Sequence, residues 1–348
     1  MPHISAISWQ GFAMLGLACA LLLFSALKKR EPLLFLPLAF GMLLANLPGA
    51  FAQGAGDPGL IFSAAMRSIL PCLLFLCIGM LTDFGPLLAK PSGFLFGAAP
   101  VLGIALAAAL AAALGFIPRE AAAVGMAGSL NGPAAVYFTA TQAPGMSAGV
   151  TLTAYASVAL LPAIQPGILR MLTTQKERTV KMEKQRKVGR TERIVFPVAG
   201  TVITALLVPG AAAPIGMLML GNFVRECGLI NEKTQAALRS ITTILLGLGI
   251  GLTANGPAFL QLKTLLVVLP GLAAACVSTA GSVLLGKLLC AVTGGRVNPL
   301  VGAEPAVAQR ESVKVRPGNF LRMHAMGPAA AALLASTLVA GILAAVPR

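Results

Sequence analysis

Few residues in this sequence carry side chains able to do chemistry, and most of those sit inside long apolar stretches. Asn131-Gly132-Pro133 lies at the centre of one stretch and recurs as Asn255-Gly256-Pro257. Glycine frees the backbone and proline removes an N–H, so each triplet breaks a helix and exposes carbonyls beside a side-chain amide. Oxygens presented in that way coordinate a cation such as Na⁺. The plainer reading is a structural turn, where these residue types dominate anyway. Asp83, in Leu81-Thr82-Asp83-Phe84-Gly85-Pro86, ends an apolar run. It is an ion ligand or proton carrier, or a helix-end residue accepting from free backbone N–H groups.

Tyr155, one of two tyrosines, lies well inside an apolar run. A buried phenol needs a partner; it can donate a proton or bind a carboxylate, or it is a satisfied core residue. Asn298-Pro299, with Gly302 and Pro305, interrupts a segment that also holds Glu304, Arg310 and Lys314. So polar a stretch is a re-entrant element or a cytoplasmic loop folded back into the protein. His324, in His324-Ala325-Met326-Gly327-Pro328, can titrate near neutrality or serve structurally near a helix start. No GxSxG, HExxH, P-loop or GxGxxG signature occurs in its required context.

The elements positioning these residues must cross a membrane. The 348 residues are 57% hydrophobic and 11% charged, with a mean hydropathy of +0.86, whereas soluble domains carry roughly 25% charged residues. Long continuous apolar runs, rather than alternating ones, select helices over a barrel. The net charge of +15 does not indicate nucleic-acid binding. Its residues cluster at Lys28, Lys29 and Arg30 and from Arg170 to Arg193, as in cytoplasmic loops, and aromatic residues for base stacking are scarce. The six cysteines lack zinc-type or CxxC spacing and read as packing residues. The basic residues follow the first apolar run rather than precede it, so residues 7–27 read as a first crossing and not as a cleaved signal.

Apolar segments fall near 7–27, 32–51, 66–88, 93–117, 120–140, 147–172, 194–209, 212–224, 234–254, 264–290, 297–309 and 320–346. The two basic loops belong on one side of the membrane, so one of the segments between them must enter and leave by the same face. Residues 120–140, broken at Asn131-Gly132-Pro133, are the best candidate. Arg67-Ser68-Ile69 recurs as Arg239-Ser240-Ile241 and Ile78-Gly79 as Ile250-Gly251, while Asp83 falls on Asn255, all at one common offset. Gly41-Met42-Leu43-Leu44 with Asn46 matches Gly216-Met217-Leu218-Met219 with Asn222. The expectation is an all-α membrane protein of about ten transmembrane helices. They form two inverted repeats with re-entrant or broken helices, residues 1–172 and 194–348, joined by a basic loop at 173–193. Such an arrangement is typical of ion-coupled transporters.

Several strings resemble the beta subunits of sodium ion-translocating biotin-dependent decarboxylases, which serve oxaloacetate, methylmalonyl-CoA and glutaconyl-CoA. They include Glu31-Pro32-Leu33-Leu34, Thr82-Asp83-Phe84-Gly85-Pro86-Leu87, Ile164-Gln165-Pro166, Gly216-Met217-Leu218-Met219-Leu220-Gly221-Asn222, Asn298-Pro299-Leu300 and Met323-His324-Ala325-Met326-Gly327-Pro328. The resemblance implies that carboxybiotin, formed by a carboxyltransferase alpha subunit on a biotin carrier protein, is decarboxylated here from the cytoplasmic side. A proton is consumed and Na⁺ is exported. A small gamma/delta membrane subunit and a bacterial inner-membrane location are implied too, and homo-oligomerisation stays open. Tyr155, Asn298 and Gly302 fall on functional positions of the family, and Arg310 or Lys314 on its arginine. Tyr155, Asn298, Arg310 and Lys314 are thus the catalytic candidates, and Asn131, Asp83 and Gly302 the ion-binding ones. Asn131 stands where the family has Asp, Ala134 where it has Thr, and Ala329 where it has Asn. An amide offers Na⁺ a dipole instead of a full charge, which weakens any sodium site there unless Glu304 or Asp83 supplies the charge. The competing expectation is an ion-coupled secondary transporter built on the same scaffold, without decarboxylation.

Overall fold

A computed structural model describes residues 8–28, 32–47, 69–254, 256–260 and 265–346. Lys29, Arg30, Glu31, Arg67, Ser68 and Asn255 lie outside the described residues. Every regular element among the described residues is helical. The principal helices are α1 (Trp9–Lys28), α2 (Pro32–Asn46), α3 (Leu70–Leu81), α4 (Gly85–Ala89), α5 (Ala98–Ala113), α6 (Pro118–Ala127) and α7 (Gly132–Gln142). They continue with α8 (Ser147–Leu172), α9 (Arg190–Leu207), α10 (Ala212–Cys227), α11 (Glu232–Thr253), α12 (Val268–Val292), α13 (Pro305–Val315) and α14 (Arg322–Ala345).

Six of the described helical spans are long and apolar enough to cross a membrane, and Phe35–Asn46 and Leu70–Leu81 are shorter apolar helices. Their outward faces carry large apolar side chains: Trp9 is 73% exposed, and Leu207 and Val292 are each 76% exposed. In water such a surface would drive aggregation; in a bilayer it meets lipid. The protein is an all-α membrane protein.

Where lipid surrounds the helices, close packing replaces the hydrophobic effect as the force between them, and small residues let backbones approach. Helix α2 crosses α11 at Gly41 and Gly251, where a Cβ on Gly41 would lie 2.5 Å from the Leu248 carbonyl oxygen. Helix α3 crosses α10 at Gly79 and Gly221, where an added Cβ would overlap the carbonyls of Leu218 and Leu76. An asparagine amide seals each crossing. Asn46 Nδ2 donates to the Ala254 carbonyl at the end of α11, and Asn222 Nδ2 donates to the Thr82 carbonyl at the end of α3, each at 3.0 Å. These carbonyls belong to helix C-caps and would otherwise lack a donor.

Two interruptions shape the interior. Between α6 and α7 the chain turns through Leu130, whose φ of +58° is left-handed and uncommon for a branched side chain. Between α12 and α13 it runs through a 3₁₀ turn at Pro299–Gly302. Both breaks pack against long helices: α7 against α8 and α14, and the 3₁₀ turn against α12.

Candidate functional site

The two breaks face one chamber of about 620 Å³, within the roughly 300–1,000 Å³ typical of small-molecule sites. Its wall is mostly apolar, built from Leu38, Leu74, Ile78, Leu152, Leu161 and Ile250 among others. Arg239 and Glu304 are the charged residues in that wall among the described residues. Its neutral polar groups include Ser129, Asn131, Tyr155, Gln165, Ser278, Thr279, Ser282 and Ser336.

Asn131 caps α7, its Oδ1 accepting from the Ala134 N–H at 3.3 Å. Its Nδ2 points the other way and donates to Ser336 Oγ at 2.9 Å and Thr337 Oγ1 at 3.1 Å. The turn before it closes on itself, with Ser129 Oγ donating to the Met126 carbonyl and accepting from the Asn131 N–H. Asn131 is 5% exposed and Ser336 and Thr337 are fully buried. The next residue, Gly132, carries the ring of Tyr155: a Cβ there would sit 2.5 Å from Tyr155 Cζ. A glycine after the helix break therefore sets how closely the phenol approaches α7.

The opposite wall is tied together by Gln165 on α8. Its Nε2 donates to Thr279 Oγ1 at 3.3 Å and its Oε1 accepts from the Glu304 N–H at 3.1 Å. Glu304 in turn caps α13, Oε2 accepting from the Val307 N–H at 3.1 Å. Pro166 has no N–H for the Pro162 carbonyl one turn earlier; Arg310 Nη2 fills the gap at 2.8 Å. Gly302 lies flush against α12, where any Cβ would overlap Ser282.

The structure thus brings Asn131, Tyr155 and Gly302 into one wall, with Glu304 in the same chamber. The other sequence candidates stand elsewhere. Asn298, fully buried, donates to the carbonyls of Arg178 at 3.0 Å and Val180 at 2.8 Å and accepts from the Leu300 N–H. It fastens the basic loop to the 3₁₀ turn and does not line the chamber. Lys314 binds Glu311 at 2.6 Å, beside Arg170 at 3.1 Å and Arg310 at 4.0 Å. Burial opposes the Glu311 charge, yet hydrogen bonds from Lys314 and Arg170 hold its carboxyl below the usual range. Asp83 accepts from the Gly85 N–H at 2.8 Å and faces Arg225 at 3.9 Å. It is a helix-end residue outside the chamber wall. His324, on the first turn of α14, is also outside that wall.

Sequence reasoning did not single out Arg239, Ser336, Thr337 or Gln165 as site residues. Arg239 and Gln165 entered only within repeated or family strings. Ser336-Thr337 is the one hydroxyl pair in an alanine-rich helix, a signal that gains meaning only once its partner is known. No group of three or more His, Cys, Asp or Glu residues is placed to hold a metal ion among the described residues.

Comparison with known proteins gives the family. The model of the Na⁺-transporting oxaloacetate decarboxylase beta subunit matches residues 10–346. The chain belongs to that family. It is 42% identical over 344 residues to the methylmalonyl-CoA decarboxylase subunit beta of Veillonella parvula, covering 95% of this chain and 92% of that one. It is 39% identical over 348 residues to the glutaconyl-CoA decarboxylase subunit beta of Acidaminococcus fermentans, covering 97% and 93%. The oxaloacetate decarboxylase beta chain of Klebsiella pneumoniae is 34% identical over 418 residues, covering 99% and 96%. Within the family, then, similar chains serve acids of different size.

Proposed function

We propose that this chain is the membrane-embedded beta subunit of a biotin-dependent decarboxylase, and that its chamber takes up carboxybiotin delivered by a partner's carrier. The observation that carries this reading is the family match along residues 10–346, which spans every wall of the chamber. The chemistry suits the wall. Carboxybiotin loses CO₂ by cleavage of the N–C bond, leaving the electron pair on the ureido nitrogen, which then takes up one proton. A carboxylate stripped of water in an apolar pocket is destabilised relative to neutral CO₂, so the apolar lining favours the cleavage. Tyr155 is the proton donor in this reading, and Arg239, exposed on α11, draws the anionic group to the opening. Among the described residues Glu304 is the chamber's carboxylate, the side chain there able to offer a cation a full charge. Asn298, Arg310 and Lys314 hold the 3₁₀ turn and α13 in place. The partners are a carboxyltransferase alpha subunit, a biotin carrier protein and a small gamma/delta membrane subunit, and the location is the bacterial inner membrane.

Reconstitution tests it. Proteoliposomes holding the purified chain are given a carrier protein loaded with carboxybiotin, and CO₂ release and ²²Na⁺ uptake are followed together. Release of CO₂ that depends on the chain is expected, with Na⁺ uptake far below one ion per CO₂. Failure to release CO₂ from a carrier that is accepted by a related beta subunit would exclude the catalytic role.

A further inference from the structure

We infer that the side-chain amide of Asn131 takes the place of a bound cation: its NH₂ group fills a cage of oxygens on α14, so that this cage holds no Na⁺ in this chain. Three oxygens converge on Nδ2, namely Ser336 Oγ at 2.9 Å, Thr337 Oγ1 at 3.1 Å and the Leu333 carbonyl at 3.5 Å. Both hydroxyl protons are already committed. Ser336 donates to the Ala332 carbonyl at 2.8 Å and Thr337 to the Leu333 carbonyl at 2.7 Å. Their remaining lone pairs face Asn131 as acceptors, which a donor hydrogen or a cation can meet.

The orientation of the amide follows from its other end. The Ala134 N–H is a donor and can be met only by Oδ1, which turns the NH₂ group towards the hydroxyls. Its two protons match the two hydroxyl oxygens. Each buried polar atom of the junction is then paired without an ion, and the break between α6 and α7 is clamped to α14 by neutral hydrogen bonds. An Asp at this position would set an anionic oxygen where the amide now donates; the hydroxyls meet it only by turning their protons away from the Ala332 and Leu333 carbonyls, and a cation bound between them spares that exchange.

This inference rests on the decarboxylase reading only for the choice of Na⁺ as the ion to test. The test needs no biotin protein, so failure of the catalytic reading leaves its result unchanged. The full chain is purified in detergent and melted in sodium chloride and in choline chloride at equal ionic strength. Wild type and Ser336→Ala are expected to show the same response to Na⁺. Asn131→Asp is expected to gain a saturable, Na⁺-specific rise of about 3 °C once Na⁺ well exceeds its dissociation constant. The rise should vanish in the Asn131→Asp, Ser336→Ala double variant. A saturable Na⁺-specific rise in wild type that Ser336→Ala abolishes overturns the inference, as does a folded Asn131→Asp whose melting ignores Na⁺. Should Asn131→Asp not fold, the comparison of wild type with Ser336→Ala decides alone.

Discussion

In the proposed reaction proton transfer depends on where Tyr155 sits, and a glycine sets that position. The ring rests on Gly132 so closely that a single methyl would lie 2.5 Å from Cζ. In Gly132→Ala the ring must move away, because the other side of the contact is α7 backbone capped by Asn131. Overpacking of this kind costs roughly 1–3 kcal/mol, and a displacement near 1 Å costs about 100-fold in rate where a group acts at a reacting atom. The expected result is a folded variant with a modestly lower melting temperature and CO₂ release reduced on the order of 100-fold. If release is unchanged, Tyr155 does not act at the reacting nitrogen. The glycine's role was only half legible in the sequence. Asn-Gly-Pro announces a break, but Tyr155 and the Ser336-Thr337 pair are brought to it by folding. The hydroxyl of Ser336 is 205 residues from Asn131, and no local pattern connects them.

At the level of helices, the recurring problem is the carbonyl that a break or a proline leaves without a donor, and side chains from distant segments solve it. Arg310 covers Pro162, and Asn46 and Asn222 cover the ends of α11 and α3. Under the sequence correspondence, which pairs Asn46 with Asn222 and Asp83 with Asn255, the last two bonds are counterparts of one another. Helix existence was legible because long apolar runs have few alternatives. The split of 297–309 into a 3₁₀ turn and the start of a polar helix was not, because it depends on tertiary partners. Glu311 is the clearest of these. It is 3% exposed, with Arg170 from α8 and Lys314 from its own helix holding its charge. Because its carboxyl is held below the ordinary value, its contribution to stability is present above the unfolded pKa, about 4.3, and is lost as pH falls through the folded value. Wild type should therefore exceed Glu311→Gln by roughly 1–2 kcal/mol at pH 7. The margin should shrink as the pH is taken below the ordinary glutamate range. A margin that does not change with pH would show that size and shape, not charge, make the contact.

For the whole molecule, orientation in the bilayer decides whether a carrier in the cytoplasm can reach the chamber. The basic loop at 173–193 leaves α8 and is fastened by Asn298 to the 3₁₀ turn beside the chamber wall and by Asn319 to the segment between α13 and α14. The side of the membrane that holds this loop is therefore the side from which the Glu304 wall is approached. Helices α6 and α7, of 10 and 11 residues, reach only about 15 Å each at 1.5 Å per residue, half of a ~30 Å hydrocarbon core. A pair this short, joined by a tight turn, suits entry and exit by one face, as the expected cytoplasmic placement of both basic stretches requires. Lys184, exposed in the second loop, reports that side directly. A Lys184→Cys variant should react with a membrane-impermeant maleimide in inside-out vesicles but not in intact cells, above the background of the unsubstituted chain. Reaction from the outer face of intact cells would turn the chamber's loop-bearing wall away from the cytoplasm, and carboxybiotin delivery from that compartment would then be ruled out whatever the chemistry of the site.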